Sequence, residues 1–73
     1  MTYVVDFEKS ADVGDARYYI TRIAGQTSVL RQWLRGDRPD PCCSKETIAP
    51  DQIPKQLIGI YNTLRTGGMP VVA

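Results

Sequence analysis

Ser28, Arg31, Gln32 and Arg35 stand three, one and three residues apart in the run QTSVLRQWLRGDRP. Those side chains carry guanidinium, amide and hydroxyl groups, the donors that hold guanine and adenine edges in pairs of hydrogen bonds. On a helix they form one polar stripe, and Val29, Leu30, Trp33 and Leu34 form the apolar stripe opposite. Gln26 and Thr27 open the run. Arg22 and Arg38 flank it and are suited to phosphates, which position a protein on a duplex without reading sequence.

Charge is concentrated in the same place. Residues 1–15 carry Asp6, Glu8, Asp12 and Asp15 against Lys9, a net of −3. Residues 16–38 carry Arg17, Arg22, Arg31, Arg35 and Arg38 against Asp37, a net of +4. Residues 39–73 balance to zero, so the whole chain is only +1. Every cation of the central stretch is arginine, whose planar fork matches phosphate and guanine better than the point charge of lysine. The other expectation for these charges is a solvated face paired with the acidic N-terminal segment.

Little else in the chain offers chemistry. There is no histidine, no phosphate-binding glycine loop and no dinucleotide fingerprint, so neither an enzyme nor a cofactor is expected. Asp12 and Asp15 lie near a glycine but make no calcium loop. Cys42 and Cys43 are adjacent, with Cα atoms about 3.8 Å apart, closer than the roughly 4.4–6.8 Å of ordinary disulfides. Reduced thiols are expected, one of them packed in the core, and no metal site.

The elements that position these groups come from the punctuation. Seventy-three residues make a single small domain, 1–73, near the lower size limit for folding alone, so support from a homodimer mate is expected. Residues 3–9 alternate as a strand does, through Tyr3, Val5 and Phe7, and fit a short helix less well. Ala16, Tyr19, Ile20, Ile23 and Ala24 fall at helical spacing, with Asp15 as cap and Gly25 as terminator. Thr27 caps a helix over 27–35 that Gly36 ends. A brief turn starts at Asp40-Pro41, and a last helix runs from about Asp51 to Thr66 with Ile53, Leu57, Ile60, Tyr61 and Leu64 on its buried face. Gly59 in mid-helix costs about 1 kcal/mol relative to Ala, and such a residue often permits another backbone to approach closely, a dimer mate being one candidate. The apolar tail, 69–73, is expected to pack on the body or on a partner.

The expected fold is therefore mainly α, three to four helices with a helix-turn-helix-like centre. The alternative is α+β, with an N-terminal hairpin pairing 3–9 with 16–24 through Val13-Gly14-Asp15.

The stretch IAGQTSVLRQWLRGDRP resembles the helix-turn-helix of Cro and phage-repressor-type DNA-binding domains, with Ala24, Leu30, Trp33, Arg35, Gly36 and Pro39 in the matching places. The resemblance spans residues 16–39, and the chain departs from the pattern at Ile20 and Gly25. It implies a small DNA-binding transcriptional regulator reading the major groove of double-stranded DNA. Gln26, Thr27, Ser28 and Gln32 would touch bases, with Arg31 and Arg35 beside them. The alternative is a small protein-binding module or inhibitor that meets a host or partner protein through Trp33, Tyr18 and Tyr61, residues of the hot-spot type. No apolar run is long enough to span a bilayer. The N-terminus MTYVVDFEKS has no basic region followed by an apolar block, so a cytoplasmic location is expected.

Overall fold

The computed structural model describes residues 5–70 and shows an antiparallel sheet with one helix on one face. Strands β1 (Val5–Val13), β2 (Ala16–Ile23) and β3 (Gln26–Arg35) follow one another as a meander. The short strands β4 (Arg38–Pro39) and β5 (Glu46–Thr47) both pair with β3. A 3-10 turn at Pro50–Gln52 leads into helix α1 (Lys55–Arg65).

The mainly α expectation is thus corrected: the segments expected as helices are the strands Ala16–Ile23 and Gln26–Arg35, and no helix-turn-helix forms among the described residues. The turn chemistry explains the difference. Three two-residue connections, Gly14-Asp15, Ala24-Gly25 and Gly36-Asp37, join strands in tight register. Positive φ falls at both residues of the middle turn (52° and 80°) and at the first residue of the other two. Those are the hallmarks of type I′ and II′ turns, whose twist matches paired strands. The glycines at 25 and 36, which suit helix ends, are hairpin corners instead. Composition acts in the same direction, because Tyr18, Tyr19, Ile20, Thr21 and Ile23 are aromatic or β-branched. The α+β alternative lies closer, with β1 pairing β2 from Val13↔Ala16 to Val5↔Ile23. Tyr3 of the expected 3–9 strand lies outside the described residues.

Burial follows the strand period. Ala16, Tyr18 and Ile20 face inward on β2, and Val29 stands opposite Ile20 on β3. Against them pack Ile48, Ile53, Leu57 and Leu64, with Phe7, Ile60 and Tyr61 half-buried at the margin. The C-terminal helix is present but starts later than Asp51, because residues 50–52 form the 3-10 turn, closed by the Ala49 N–H donating to Gln52 Oε1. It ends in a Schellman motif: the Gly68 N–H donates to the Thr63 carbonyl (2.9 Å) and the Gly67 N–H to the Leu64 carbonyl (3.1 Å). Among the described residues of this chain no backbone approaches Gly59, where a Cβ would meet nothing within 4 Å. Residues 41–42 form a turn rather than helix, and 71–73 of the tail lie outside the described residues. No helix among the described residues is long and apolar enough to cross a membrane.

One position is locally strained. Ala24 holds φ 52°, a conformation that costs a residue with a Cβ roughly 1–2 kcal/mol. Glycine would relieve that strain but adds freedom to the unfolded chain worth about 0.5–1 kcal/mol. Asparagine tolerates the conformation without that loss and completes the favoured Asn-Gly pair. Ala24→Asn and Ala24→Gly are each expected to raise stability by about 0.5–1 kcal/mol in urea unfolding.

Candidate functional site

A strand divides what a helix would unite. On β3 the side chains of Ser28 and Gln32 fall on one face, and those of Arg31 and Arg35 on the other. Gln26 is exposed at the start of the strand, and Thr27 is half-buried opposite Arg22. Ser28 spends its hydroxyl on Thr21, with Oγ and Oγ1 3.2 Å apart. The four residues expected to touch bases and the two arginines expected beside them therefore make no common surface.

Gln32 is taken furthest from solvent, at 6% exposed. Six residues of the outer strand, 40–45, stand against only Gln32 and Trp33 of β3, so the ladder between β4 and β5 opens into a wide bulge. The Gln32 amide fills it, donating from Nε2 to the carbonyls of Cys43 (2.9 Å) and Trp33 (3.2 Å). The Asp40 N–H, donating to the Trp33 carbonyl at 2.9 Å, closes the other end. This amide replaces backbone pairing that the bulge removes.

Three of the five central arginines are engaged within the fold. Arg22, with its side chain 14% exposed, donates from Nη1 to the carbonyls of Gly68 (3.0 Å) and Leu64 (3.4 Å), and its Nε lies 3.5 Å from Asp6 Oδ2. It binds the carbonyl end of α1 to the sheet, where a cation is favoured. Arg17 donates to both Asp12 oxygens, at 2.7 and 3.2 Å. That hydrogen bond holds the Asp12 carboxyl below its ordinary range and raises the already high Arg17 value further. The pairing is present at neutral pH and is lost as pH falls through the depressed Asp12 value. Arg31 donates from Nε (3.0 Å) and Nη2 (2.6 Å) to Glu46 Oε1, and that bond raises its own pKa. Its guanidinium carbon also sits 4.7 Å from the centre of the Trp33 ring, a cation–π contact.

What remains free is one corner of the sheet. Trp33 is 40% exposed beyond the end of the helix-covered core. Arg31, Trp33 and Arg35 share a face of β3, and Arg38 stands directly across from Arg35. Arg35 and Arg38 are exposed, and among the described residues neither makes a salt bridge. Of the three residues expected to meet a protein partner, only Trp33 is exposed. Tyr18 is buried in the core and Tyr61 is half-buried against it. The helical reading missed the grouping of Trp33 with Arg35 and Arg38, although the Arg-x-Trp-x-Arg alternation at 31, 33 and 35 shows it once period two is applied.

Other surfaces are chemically plain. A groove of about 550 Å³ runs between α1 and Met69-Pro70, with Lys55 its only ionisable lining residue. Both cysteines are free thiols, Cys42 exposed and Cys43 half-buried in the bulge rather than in the core. On the face away from the helix, Lys45 Nζ lies 4.2 Å from the centre of the Tyr19 ring. No family model matches the chain, and no curated protein or solved structure matches it significantly.

Proposed function

We propose that this chain is a small protein-interaction module that meets its partner through the Trp33–Arg35–Arg38 corner. The carrying observation is an exposed tryptophan held in place by its own structure. Arg31 covers one side of the ring and is itself fixed by Glu46, so little side-chain freedom is left to lose on binding. Tryptophan and arginine are the residues that most often dominate protein–protein affinity.

Charge favours this reading over a duplex-binding one. With Arg17, Arg22 and Arg31 each beside a carboxylate, two of the five central arginines, Arg35 and Arg38, make no salt bridge among the described residues. Phosphate binding grows with the number of cations gathered on one surface. Two arginines beside one indole suit a compact hot spot instead.

The test compares proteins retained by the immobilised wild-type chain with those retained by Trp33→Ala, after nuclease treatment and with matched melting temperatures. A specific partner is expected to bind the variant at least tenfold more weakly, the scale of about 1.4 kcal/mol or more for a hot-spot residue. Equal binding by both forms would remove the proposal, as would recovery of nucleic acid in place of protein.

A further inference from the structure

The corner also states what chemistry its partner carries. We propose that Arg35 and Arg38 form a clamp for carboxylates on an acidic, extended segment of the partner, with an apolar side chain of that segment on Trp33. This rests on the interaction reading above.

The first support is a break in the pattern of the sheet. Arg17, Arg22 and Arg31 each stand beside one carboxylate, from Asp12, Asp6 and Glu46 respectively. Arg35 and Arg38 face each other with none within salt-bridge reach among the described residues. Directly opposed residues in an antiparallel pair hold their Cβ atoms about 4.5–5.5 Å apart, and like charges there repel. The Gly36-Asp37 corner fixes the two strands at that separation, so the arginines cannot part along the ladder. A carboxylate pair between them removes the repulsion and accepts two guanidinium forks, the bidentate geometry that arginine provides.

The second support is spacing. Trp33 and Arg35 are two residues apart on one face, which puts their Cα atoms about 6.6–6.8 Å apart in a strand. An extended peptide repeats its own same-side positions at that interval. A segment with an apolar residue two positions from an acidic one therefore meets both groups at once. Pro39 denies the β4 edge one backbone donor, so side chains rather than an added strand carry the contact.

The chain's single tryptophan makes the site directly observable. Random peptides displayed on phage are selected on the wild-type chain, on Trp33→Ala and on an Arg35→Gln/Arg38→Gln variant. Enriched peptides are then synthesised and titrated against Trp33 fluorescence. Wild type is expected to enrich Asp or Glu two positions from an aliphatic or aromatic residue. The double variant is expected to lose the acidic preference by tenfold or more and to melt at a slightly higher temperature, since the opposed charges are gone. Replacing the acidic residues of a selected peptide by Gln or Asn should weaken binding to the same extent.

A motif that depends on Trp33 but has no acidic preference would overturn the clamp and leave the interaction reading standing. Failure to enrich any peptide, or a motif unaffected by Trp33→Ala, would overturn both. So would an oligothymidylate that quenches Trp33 more strongly than every peptide, since nucleic acid would then be the ligand.

Discussion

Arg22→Ala should unfold this protein at markedly lower temperature without the change being a matter of ligand affinity. The Arg22 side chain leaves β2, passes the Asp6 carboxylate and reaches the carbonyls of Leu64 and Gly68, more than forty residues away in sequence. Hydrogen bonds with a charged donor contribute about 1.5–3 kcal/mol each, more than neutral ones. Here the two share one guanidinium, and one is long. Removing it also withdraws the cation from the carbonyl end of α1 and takes the guanidinium away from Asp6. The expected cost is roughly 2–3 kcal/mol, which for a domain of this size lowers Tm by about 10–20 °C. Lysine restores the charge at the helix end but cannot span both carbonyls and Asp6 together, so Arg22→Lys should fall between. Calorimetry on the three forms checks the order. If Arg22→Ala melted with wild type, the arginine would not be the tie between sheet and helix.

The second large effect belongs to Gln32. Leucine has similar bulk but cannot donate, so Gln32→Leu leaves the Cys43 carbonyl without its donor, while the Trp33 carbonyl keeps only the Asp40 N–H. Leaving one acceptor without its donor costs about 1–3 kcal/mol, and the 40–45 bulge loses its anchor. Amide exchange is expected to quicken at Asp40 and Cys43, whose N–H groups close the bulge, while the β1–β2 ladder stays protected. Gln32→Glu makes a sharper test. A carboxylate there cannot donate to a carbonyl, and burial raises its pKa above the ordinary value of about 4.3. The protonated form keeps one donor, so the variant should be most stable in acid. It should lose stability as pH rises from the unfolded pKa through the raised folded one. Uniform destabilisation at all pH values would contradict the placement of this amide.

These two residues show where the sequence is legible and where it is not. The C-terminal helix is readable because Leu57, Ile60, Tyr61 and Leu64 repeat over several turns and Gly67 ends them, a signal long enough to exclude a strand. The central residues offer only short apolar pairs, Tyr19-Ile20 and Leu30 with Trp33-Leu34, which suit both periods. Gly25 and Gly36 fit a helix terminus and a hairpin corner equally well, and only pairing between strands decides. Arg22 and Gln32 look like ligand-binding groups because their partners, Gly68 and Cys43, are backbone carbonyls and leave no mark in the sequence. Arg31 and Glu46 are separable from free charges only once the 40–45 bulge sets the register. By contrast, the uneven placement of arginine is readable directly, whereas Trp33 belongs to an apolar stripe at helical spacing and is exposed on the strand.

Residues 16–35 form one hairpin, which puts Arg22, Trp33 and Arg35 on the helix-bearing face of the sheet and Gln32 on the opposite face. Cross-strand nuclear Overhauser contacts in an isotope-labelled sample measure this directly. Contacts are predicted between Tyr18 and Arg31 and between Ile20 and Val29, the register neighbours of β2 and β3. Contacts at helical spacing instead, from Thr27 to Leu30 and from Leu30 to Trp33, with none between the two segments, would contradict it.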